Sequence, residues 1–159
     1  MIICNATPLI AFARIGQLAL LRKVVGTLVI PDAVCREISV YSDIQHGIID
    51  LAQEPWISVQ TVQSEAKVCL LLPTLDRGEA EVIALALERA AGLVLIDELS
   101  GRKVAESLHL TVSGSVGILI RAKQMGEISA VKPLLEEMIQ RGIRYSPRFV
   151  TAILQRIGE

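Results

Sequence analysis

Short apolar segments alternate along this chain with longer segments in which apolar residues recur at helical spacing. Residues 2–4, 28–30 and 93–96 have the length and composition of buried strands, and a segment that can form a helix follows each of them. Strands that are connected through helices run parallel, and a parallel sheet needs helices on both of its faces. The alternation therefore predicts a three-layer α/β/α sandwich around a central parallel sheet.

The helical segments of the sequence differ in the strength of their pattern. Residues 77–90 form the strongest predicted helix, whereas the helical spacing of residues 9–25 is broken at Gly16. Residues 41–55 have no clear pattern, and no linker or repeat divides the chain, so we predict one domain that spans 1–159. The other predicted elements are an edge strand at 56–62, a short strand at 111–112, and helices after Pro31 and at 100–108, 116–123 and 131–141.

The composition argues against several classes of protein. Hydrophobic residues make up 52% of the chain and charged residues 21%, which is typical of a globular protein. The net charge of −1 means that any binding of nucleic acid must rely on a local basic patch. Three cysteines without CxxC spacing argue against a disulfide framework and a zinc site. The two histidines, His46 and His109, form no HxxxH pattern, and we assign them no role.

The apolar runs of the sequence bear on its location. None is long enough to span a membrane, because Glu88 and Arg89 interrupt the longest one. The N-terminus lacks the pattern of a signal peptide. We therefore expect a cytoplasmic protein that does not associate with a membrane.

Several acidic residues share one position relative to the predicted strands. Each of them directly follows a strand or lies on the helix after it, and ligands of an open parallel sheet bind at the carboxyl ends of its strands. Carboxylates that converge there are suitable ligands for a hard divalent cation. The first strand departs from this pattern, because the residue that follows it is Asn5. The acidic residues in question are Glu37, Glu79, Glu81, Asp97 and Glu98.

Each of these residues also has an ordinary structural explanation. The helix dipole favours acids such as Glu79 and Glu81 in the first turn of a helix. Asp97 is placed to cap the helix that follows it, and Asn5 is placed to bond local backbone. Only the ordered combination of the acids therefore supports a functional interpretation.

Four segments, in this order, resemble the PIN domain family, and the resemblance covers nearly the whole chain. They are NATPLIAFARIG, IPDAVCREI, DRGEAEVIALALE and LVLIDELSGRKVAESLHLTVSGSVGILIRAKQMGEI. The match is to the bacterial and archaeal branch with a GEAE helix and an LIDxxxGRxxA segment. The resemblance implies an α/β/α sandwich and an Mg²⁺- or Mn²⁺-dependent ribonuclease. Many members are toxins of toxin–antitoxin pairs, so it also implies RNA as substrate, a small antitoxin as partner and a homodimer.

The resemblance assigns roles to individual residues. The first acid of the family falls on Asn5 and its supporting hydroxyl on Thr7, whereas the weak site after the fifth strand falls on Ser113 and Ser115. Arg77 and Arg102 are the arginines best placed in the sequence to hold phosphate, because a guanidinium matches phosphate geometry. The other acids of the family fall on Glu37, on Glu79 with Glu81 as its neighbour, and on Asp97 with Glu98 beside it.

Three classes of function remain open at this stage. The leading one is a metal-dependent endoribonuclease, in which Asn5 would give the cation a carbonyl oxygen without charge. The second is a catalytically impaired PIN-like domain that binds RNA or a protein, and Asn5 favours it. The third is an unrelated α/β protein that binds a small molecule. The sequence lacks a GxGxxG loop and a P-loop, which counts against nucleotide-binding versions of the third class.

Overall fold

Five parallel strands form the central sheet of the computed structural model, which describes residues 1–41 and 47–159. The strands are β1 (Ile2–Cys4), β2 (Leu28–Pro31), β3 (Ile57–Gln60), β4 (Leu93–Leu95) and β5 (Val112–Ser113). Their order across the sheet is β3-β2-β1-β4-β5.

Helices flank the sheet and produce the predicted three layers. The helices are α1 (Ala6–Arg14), α2 (Leu18–Val25), α3 (Asp32–Tyr41), α4 (Glu65–Leu71), α5 (Arg77–Arg89), α6 (Leu99–Ser107), α7 (Ser115–Gln124), α8 (Lys132–Gln140) and α9 (Pro147–Ile157), with a 3₁₀ turn at Leu51–Gln53. Helix α5 packs on β1, β2 and β4, and α3 and α4 pack against α5. Helices α1, α2, α7 and α8 pack against one another.

The strand order reverses direction at β1, and this reversal determines where a site can form. From β1 the chain builds outward on one side through β2 and β3, and then returns to add β4 on the other side. The backbone continues this pairing beyond β1, since the N–H of Asn5 donates to the carbonyl of Leu95 at 2.9 Å. In open α/β sheets, a crevice lies at the carboxyl ends of the strands where the order reverses. The residues that follow β1 and β4 therefore border such a crevice.

Helix α5 is the most deeply buried helix on its side of the sheet. Val82, Ile83 and Leu85 are fully buried within it, and every residue from Gly78 to Ala86 is buried. Burial of large aliphatic side chains is the main favourable term in folding, at about 25 cal/mol per Å² of apolar surface. The same burial removes Glu79 and Glu81, in the first turns of α5, from water.

Most of the predicted elements are confirmed. The break at Gly16 separates α1 from α2, and Gly16 has a positive φ of 65°, a conformation that glycine adopts without strain. Strand β3 lies at the edge of the sheet as predicted. Strand β4 ends at Leu95, one residue earlier than predicted, and α4 and α9 lie in segments for which no element was predicted.

Two remaining predictions concern membrane-spanning segments and His46. Among the described helices, none combines the length and the apolar character needed to cross a bilayer. His46, to which the sequence analysis assigns no role, lies outside the described ranges.

Candidate active site

The side chains of Asn5 and Glu98 meet where β1 and β4 end. Asn5 is almost fully buried, with 4% of its surface exposed, and its Nδ2 donates to Oε2 of Glu98 at 3.3 Å. The hydroxyl of Thr7, in the first turn of α1, donates to Oε1 of the same carboxylate. Both oxygens of Glu98 are therefore held by residues that follow the first strand.

Asp97 caps a helix, but not the helix that follows it. Its Oδ1 accepts the backbone N–H of Ser115 at 2.7 Å and the Ser115 hydroxyl at 3.1 Å, so it caps α7. The N-cap residue of α7 is Gly114, which has no side chain to offer. A Cβ at Gly114 would lie 2.4 Å from Oδ1 of Asp97, and only glycine leaves room for the carboxylate. The acceptor that caps the N-terminus of α7 is therefore Asp97, which lies in the connection between β4 and α6.

Burial changes the acidity of Asp97. It raises the pKa of this carboxyl from 3.8 to about 6, although the hydrogen bonds from Ser115 oppose the shift. The charge of Glu98 raises the pKa further, and the guanidinium of Arg102 lowers it. Asp97 is therefore ionised at neutral pH at a cost in free energy, which a nearby cation would offset.

Glu79 belongs to the buried first turn of α5 and forms a capping box with Asp76. Oδ1 of Asp76 accepts the N–H of Glu79 at 2.8 Å, and the N–H of Asp76 donates to Oε2 of Glu79 at 3.2 Å. The carboxylate lies over Gly101 of α6, where a Cβ would be 2.8 Å from Oε1. Glu79 therefore points toward the end of β4, and one of its oxygens is left for another partner.

Glu81 has a different environment from Glu79, two residues away. Its Oε2 accepts the N–H of Ala33 at 2.8 Å, and its Oε1 accepts Nε of Arg77 at 2.8 Å. The bond from Ala33 connects α5 to the first turn of α3, and the bond from Arg77 lies within α5, so both oxygens have partners. The structure therefore distinguishes the two glutamates and leaves Glu79 as the candidate ligand.

Three side chains converge around Gly78. A Cβ at this glycine would lie 3.2 Å from Oε2 of Glu37, 3.4 Å from Oδ1 of Asn5 and 3.4 Å from Oδ1 of Asp76. Burial raises the pKa of Glu37, and the charges of Asp76 and Glu98 raise it further. The side chains of Asn5, which follows β1, and of Glu37, on α3, therefore both lie at Gly78.

The pKa of Glu79 shows how closely the acids are grouped. Burial raises it most, the charge of Asp76 raises it next, and Glu98 and Glu37 add smaller increases. Each of these acids therefore disfavours the ionised form of its neighbours. We call this group, with Asn5, the acidic cluster; its acids are Glu37, Asp76, Glu79, Asp97 and Glu98.

Three acids of the acidic cluster line a cavity of about 350 Å³. Thr7, Glu37, Asp97 and Glu98 line one part of it. It is also lined by residues that the sequence did not single out, among them Arg14, Arg144 and Tyr145. The cavity thus combines a carboxylate surface with two guanidinium groups.

A second cavity of about 580 Å³ adjoins the first and shares Asp97, Arg144 and Tyr145 with it. It continues between α6, α7 and α9, where most of the lining is apolar and Leu99 and Phe149 are 65% and 41% exposed. Arg102 and Ser113 also line it. The predicted substrate residues Arg102 and Ser113 therefore lie on the apolar side of the site.

The oxygens of the acidic cluster fit a hard cation. Within residues 1–41 and 47–159, four buried side-chain oxygens lack a hydrogen-bond partner, and three of them belong to this cluster; the fourth is on Gln60. Carboxylate and amide oxygens are the donors that Mg²⁺ and Mn²⁺ prefer. The three unpartnered oxygens are Asn5 Oδ1, Glu79 Oε1 and Asp97 Oδ2.

The arrangement of the acids is more open than a finished metal site. In the described part of the chain, no three His, Cys, Asp or Glu side chains stand close enough together to hold a metal ion. Like charges in a buried site repel one another, and a cation between them would reverse that effect. The type of donor therefore fits the cation, whereas the spacing of the described acids is wider than that of a formed metal site.

Two predicted substrate residues have other partners. Nη1 and Nη2 of Arg77 donate to both oxygens of Glu65 at 2.7 and 2.8 Å, and Nε donates to Glu81. These two carboxylates engage the guanidinium of Arg77, and its role in holding phosphate stays a prediction. Ser115 is fully buried, and its hydroxyl is bonded to Asp97 and Tyr145 instead of facing a ligand.

Sequence reasoning missed Asp76, Arg14, Arg144 and Tyr145. The Asp-x-x-Glu spacing of Asp76 and Glu79 is the sequence signature of a capping box, which could have identified Asp76. The other three residues reach the site from α1 and from the segment between α8 and α9. No local signal in the sequence connects them to the acids.

Comparison with known proteins supports the fold and the family. No curated protein and no solved structure matches the sequence. A family model with the description PIN domain matches residues 1–159, and PIN domains generally use divalent metal ions. The match covers the whole length of the sequence, and so the chain belongs to the PIN domain family.

Proposed function

We propose that this protein is a metal-dependent endoribonuclease of the PIN type. One observation carries the proposal: three buried oxygens of the acidic cluster lack a hydrogen-bond partner within the described residues, and two of them belong to Asn5 and Asp97, which follow the strands β1 and β4 where the strand order reverses. Buried polar atoms normally have partners, so a group that lacks them within the described chain is a candidate site for a ligand. Family membership supports a nuclease, and the oxygen donors support a divalent cation as its cofactor.

The residues that would hold Mg²⁺ or Mn²⁺ belong to the acidic cluster, in which Asn5, Glu79 and Asp97 each have an unpartnered oxygen. A bound ion would neutralise charge on the phosphate. It would also lower the pKa of a bound water, so that a hydroxide is available to attack the phosphorus. Asp97 offers Oδ2, because Ser115 occupies its other oxygen. The proposed ligands are Asn5, Glu37, Glu79, Asp97 and Glu98.

The basic residues of the two cavities would position the RNA. Arg144 and Arg14 line the smaller cavity together with the carboxylates, and Arg102 lines the larger one together with Asp97. Guanidinium groups bind phosphate oxygens with two parallel hydrogen bonds. Because the net charge of the chain is −1, these arginines provide the local positive potential that an RNA backbone requires.

Asn5 favours a second candidate, a binding module that does not turn RNA over. Its amide is neutral and already donates to Glu98, so the site has one negative charge fewer than an aspartate would give it. The open arrangement of the acids in the described residues points the same way. This candidate predicts binding of RNA or a protein without cleavage.

Several parts of the proposal rest on the PIN resemblance alone. They are the toxin role, the small antitoxin partner and the homodimer, whereas the proposed cytoplasmic location rests on the pattern of apolar runs in the sequence. Thr7 and Ser113 belong to the proposed substrate side, although Thr7 is engaged with Glu98.

Cleavage of single-stranded RNA tests the proposal. Native protein and Asp97→Asn are incubated with the same RNA in Mn²⁺ and in EDTA, with Glu106→Gln as a control acid on the exposed side of α6. We expect cleavage by native protein and the control in Mn²⁺, and none in EDTA or with Asp97→Asn. RNA that is bound but uncut by native protein and by Asn5→Asp would favour the binding module.

A further inference from the structure

A tyrosine far along the chain contacts the residue that holds Asp97. Tyr145 lies between α8 and α9, and its hydroxyl forms a short hydrogen bond with Oγ of Ser115, 30 residues earlier. Oγ of Ser115 lies 3.1 Å from Oδ1 of Asp97. The three side chains therefore form a continuous hydrogen-bonded chain.

The direction of these hydrogen bonds follows from the groups that can accept. The Ser115 hydroxyl has one proton, and a carboxylate is a stronger acceptor than a phenol oxygen. Ser115 therefore donates to Asp97, and the proton between Ser115 and Tyr145 comes from the tyrosine. The other acceptor near the phenol is Sδ of Met138 at 3.6 Å, and a thioether accepts only weakly.

The surroundings of Tyr145 suit a fixed donor. Its ring stacks on Phe149 of α9, with ring centroids 6.3 Å apart. Burial raises the pKa of the phenol, so it keeps its proton at neutral pH. The hydroxyl therefore has a defined position and a permanent proton.

The consequence for Asp97 is that its two oxygens have different roles. The N–H and the hydroxyl of Ser115 both bond Oδ1, while Oδ2 is one of the three unpartnered oxygens. A carboxylate that is fixed through one oxygen presents the other in one direction. Outer hydrogen bonds of this kind orient metal ligands, and their loss typically lowers metal affinity by 10- to 100-fold.

We propose that Tyr145 is a positioning residue, which acts through Ser115 to hold Asp97 with Oδ2 directed at the cation. This inference rests on the proposed function, since it concerns the same metal site. It assigns a role to the segment between α8 and α9. Because that segment also carries Arg144, the segment contributes to both the cation side and the substrate side of the cavity.

A double-mutant cycle distinguishes this role from ordinary packing. Mn²⁺ affinity is measured by calorimetric titration of native protein, Tyr145→Phe, Ser115→Ala and the double variant. Tyr145→Phe keeps the ring and removes only the hydroxyl, so we expect a folded protein with an affinity about 10-fold weaker. Ser115→Ala should weaken affinity more, and the double variant should equal Ser115→Ala, because Tyr145 acts only through Ser115.

Met138→Leu is the matched control. It keeps the volume of a fully buried side chain beside the tyrosine and should leave Mn²⁺ affinity unchanged. Thermal unfolding in the absence of metal shows that each variant is folded at the temperature of the titration.

The outcomes separate this inference from the proposed function. Three results would each overturn the positioning role alone. Tyr145→Phe could bind Mn²⁺ as tightly as native protein, or the losses of Mn²⁺ affinity in the two single variants could multiply in the double variant. The third result is a loss of Mn²⁺ affinity in Met138→Leu equal to that in Tyr145→Phe. Absence of Mn²⁺ binding in both native protein and Asn5→Asp would overturn the proposed function, and the positioning role with it.

Discussion

The side-chain amide of Asn5 lies 3.3 Å from Oε2 of Glu98 and donates a hydrogen bond to it. An aspartate at position 5 would put a second negative charge at this distance and remove the donor. In the absence of a cation the two carboxylates would repel each other, whereas a cation would bind more strongly to both. Asn5 therefore stabilises the metal-free site and weakens the affinity of the proposed metal site.

Asn5→Asp should change metal affinity and stability in opposite directions. We expect Mn²⁺ affinity to rise by about an order of magnitude, because one negative charge is added to an oxygen-ligand site. The melting temperature without metal should fall, because the new charge is buried beside Glu98. Calorimetric titration and thermal unfolding measure the two effects. Equal Mn²⁺ affinity in the two proteins would mean that Asn5 does not contact the cation.

Asp97→Asn should abolish metal binding and leave the protein at least as stable at pH 7. The amide oxygen can still accept both hydrogen bonds from Ser115, and the cost of a buried charge disappears. The folded-state pKa of about 6 is higher than the unfolded value near 3.8, so ionisation destabilises the native state of the unsubstituted protein. Urea unfolding should show a gain in free energy of at most about 3 kcal/mol in the variant at pH 7.

The same linkage predicts a pH dependence. A raised folded-state pKa means that the native state binds more protons than the unfolded state between pH 6 and pH 4, so protonation of Asp97 stabilises the native protein as the pH falls through this range. The stability difference between Asp97→Asn and native protein should therefore shrink from pH 7.5 to pH 4. Glu37 and Glu79 titrate in both proteins, so the comparison isolates Asp97. A difference that is constant over this range would contradict the account.

Glu79→Gln and Glu81→Gln should have reciprocal effects, although the residues are two positions apart. Glu79→Gln should weaken Mn²⁺ binding strongly with little loss of stability, because it removes a charge from the acidic cluster. Glu81→Gln should destabilise the protein by about 1–3 kcal/mol, because Glu81 accepts the N–H of Ala33 and pairs with Arg77. Metal titration and urea unfolding of both variants test this. A loss of metal affinity in Glu81→Gln and not in Glu79→Gln would reverse the assignment.

Gly114→Ala should displace Asp97. The added methyl group would lie 2.4 Å from Oδ1 of Asp97 and 3.1 Å from Nη1 of Arg102, so the carboxylate must move and the cap of α7 is weakened. We expect a loss of about 1–3 kcal/mol in stability together with weaker Mn²⁺ binding. The matched control is Gly92→Ala, where the nearest atom outside the adjacent residues is the Met1 carbonyl oxygen at 3.8 Å. Equal behaviour of the two variants would contradict the close packing at Gly114.

The sequence was informative where the signal is local. The sheet follows from short apolar segments that alternate with helices, and the placement of Asp97 and Glu79 near strand ends follows from the same pattern. The ion pair of Arg77 with Glu65 was not predicted, because Glu65 lies on α4, a helix that the sequence analysis did not identify. Helix α9 had a local signal, since Ser146 caps it and Pro147 begins it, but no prediction was made there.

Other features depend on contacts between distant parts of the chain. Tyr145 bonds a residue 30 positions earlier, and nothing in its own neighbourhood indicates this. Glu79 and Glu81 share one helical turn and one residue type, and they differ because α3 provides an N–H to only one of them. Such differences arise from packing, which a single sequence does not encode in any local pattern.

The most direct test of the metal site is a crystal structure of the protein with Mn²⁺, in which anomalous scattering locates the ion. The account predicts one strong peak in the crevice between β1 and β4, with Oδ2 of Asp97, Oε1 of Glu79 and Oδ1 of Asn5 among the nearest oxygens and Oδ1 of Asp97 still bonded to Ser115. An Mn²⁺ peak elsewhere on the protein, or none in crystals soaked at saturating Mn²⁺, would contradict it.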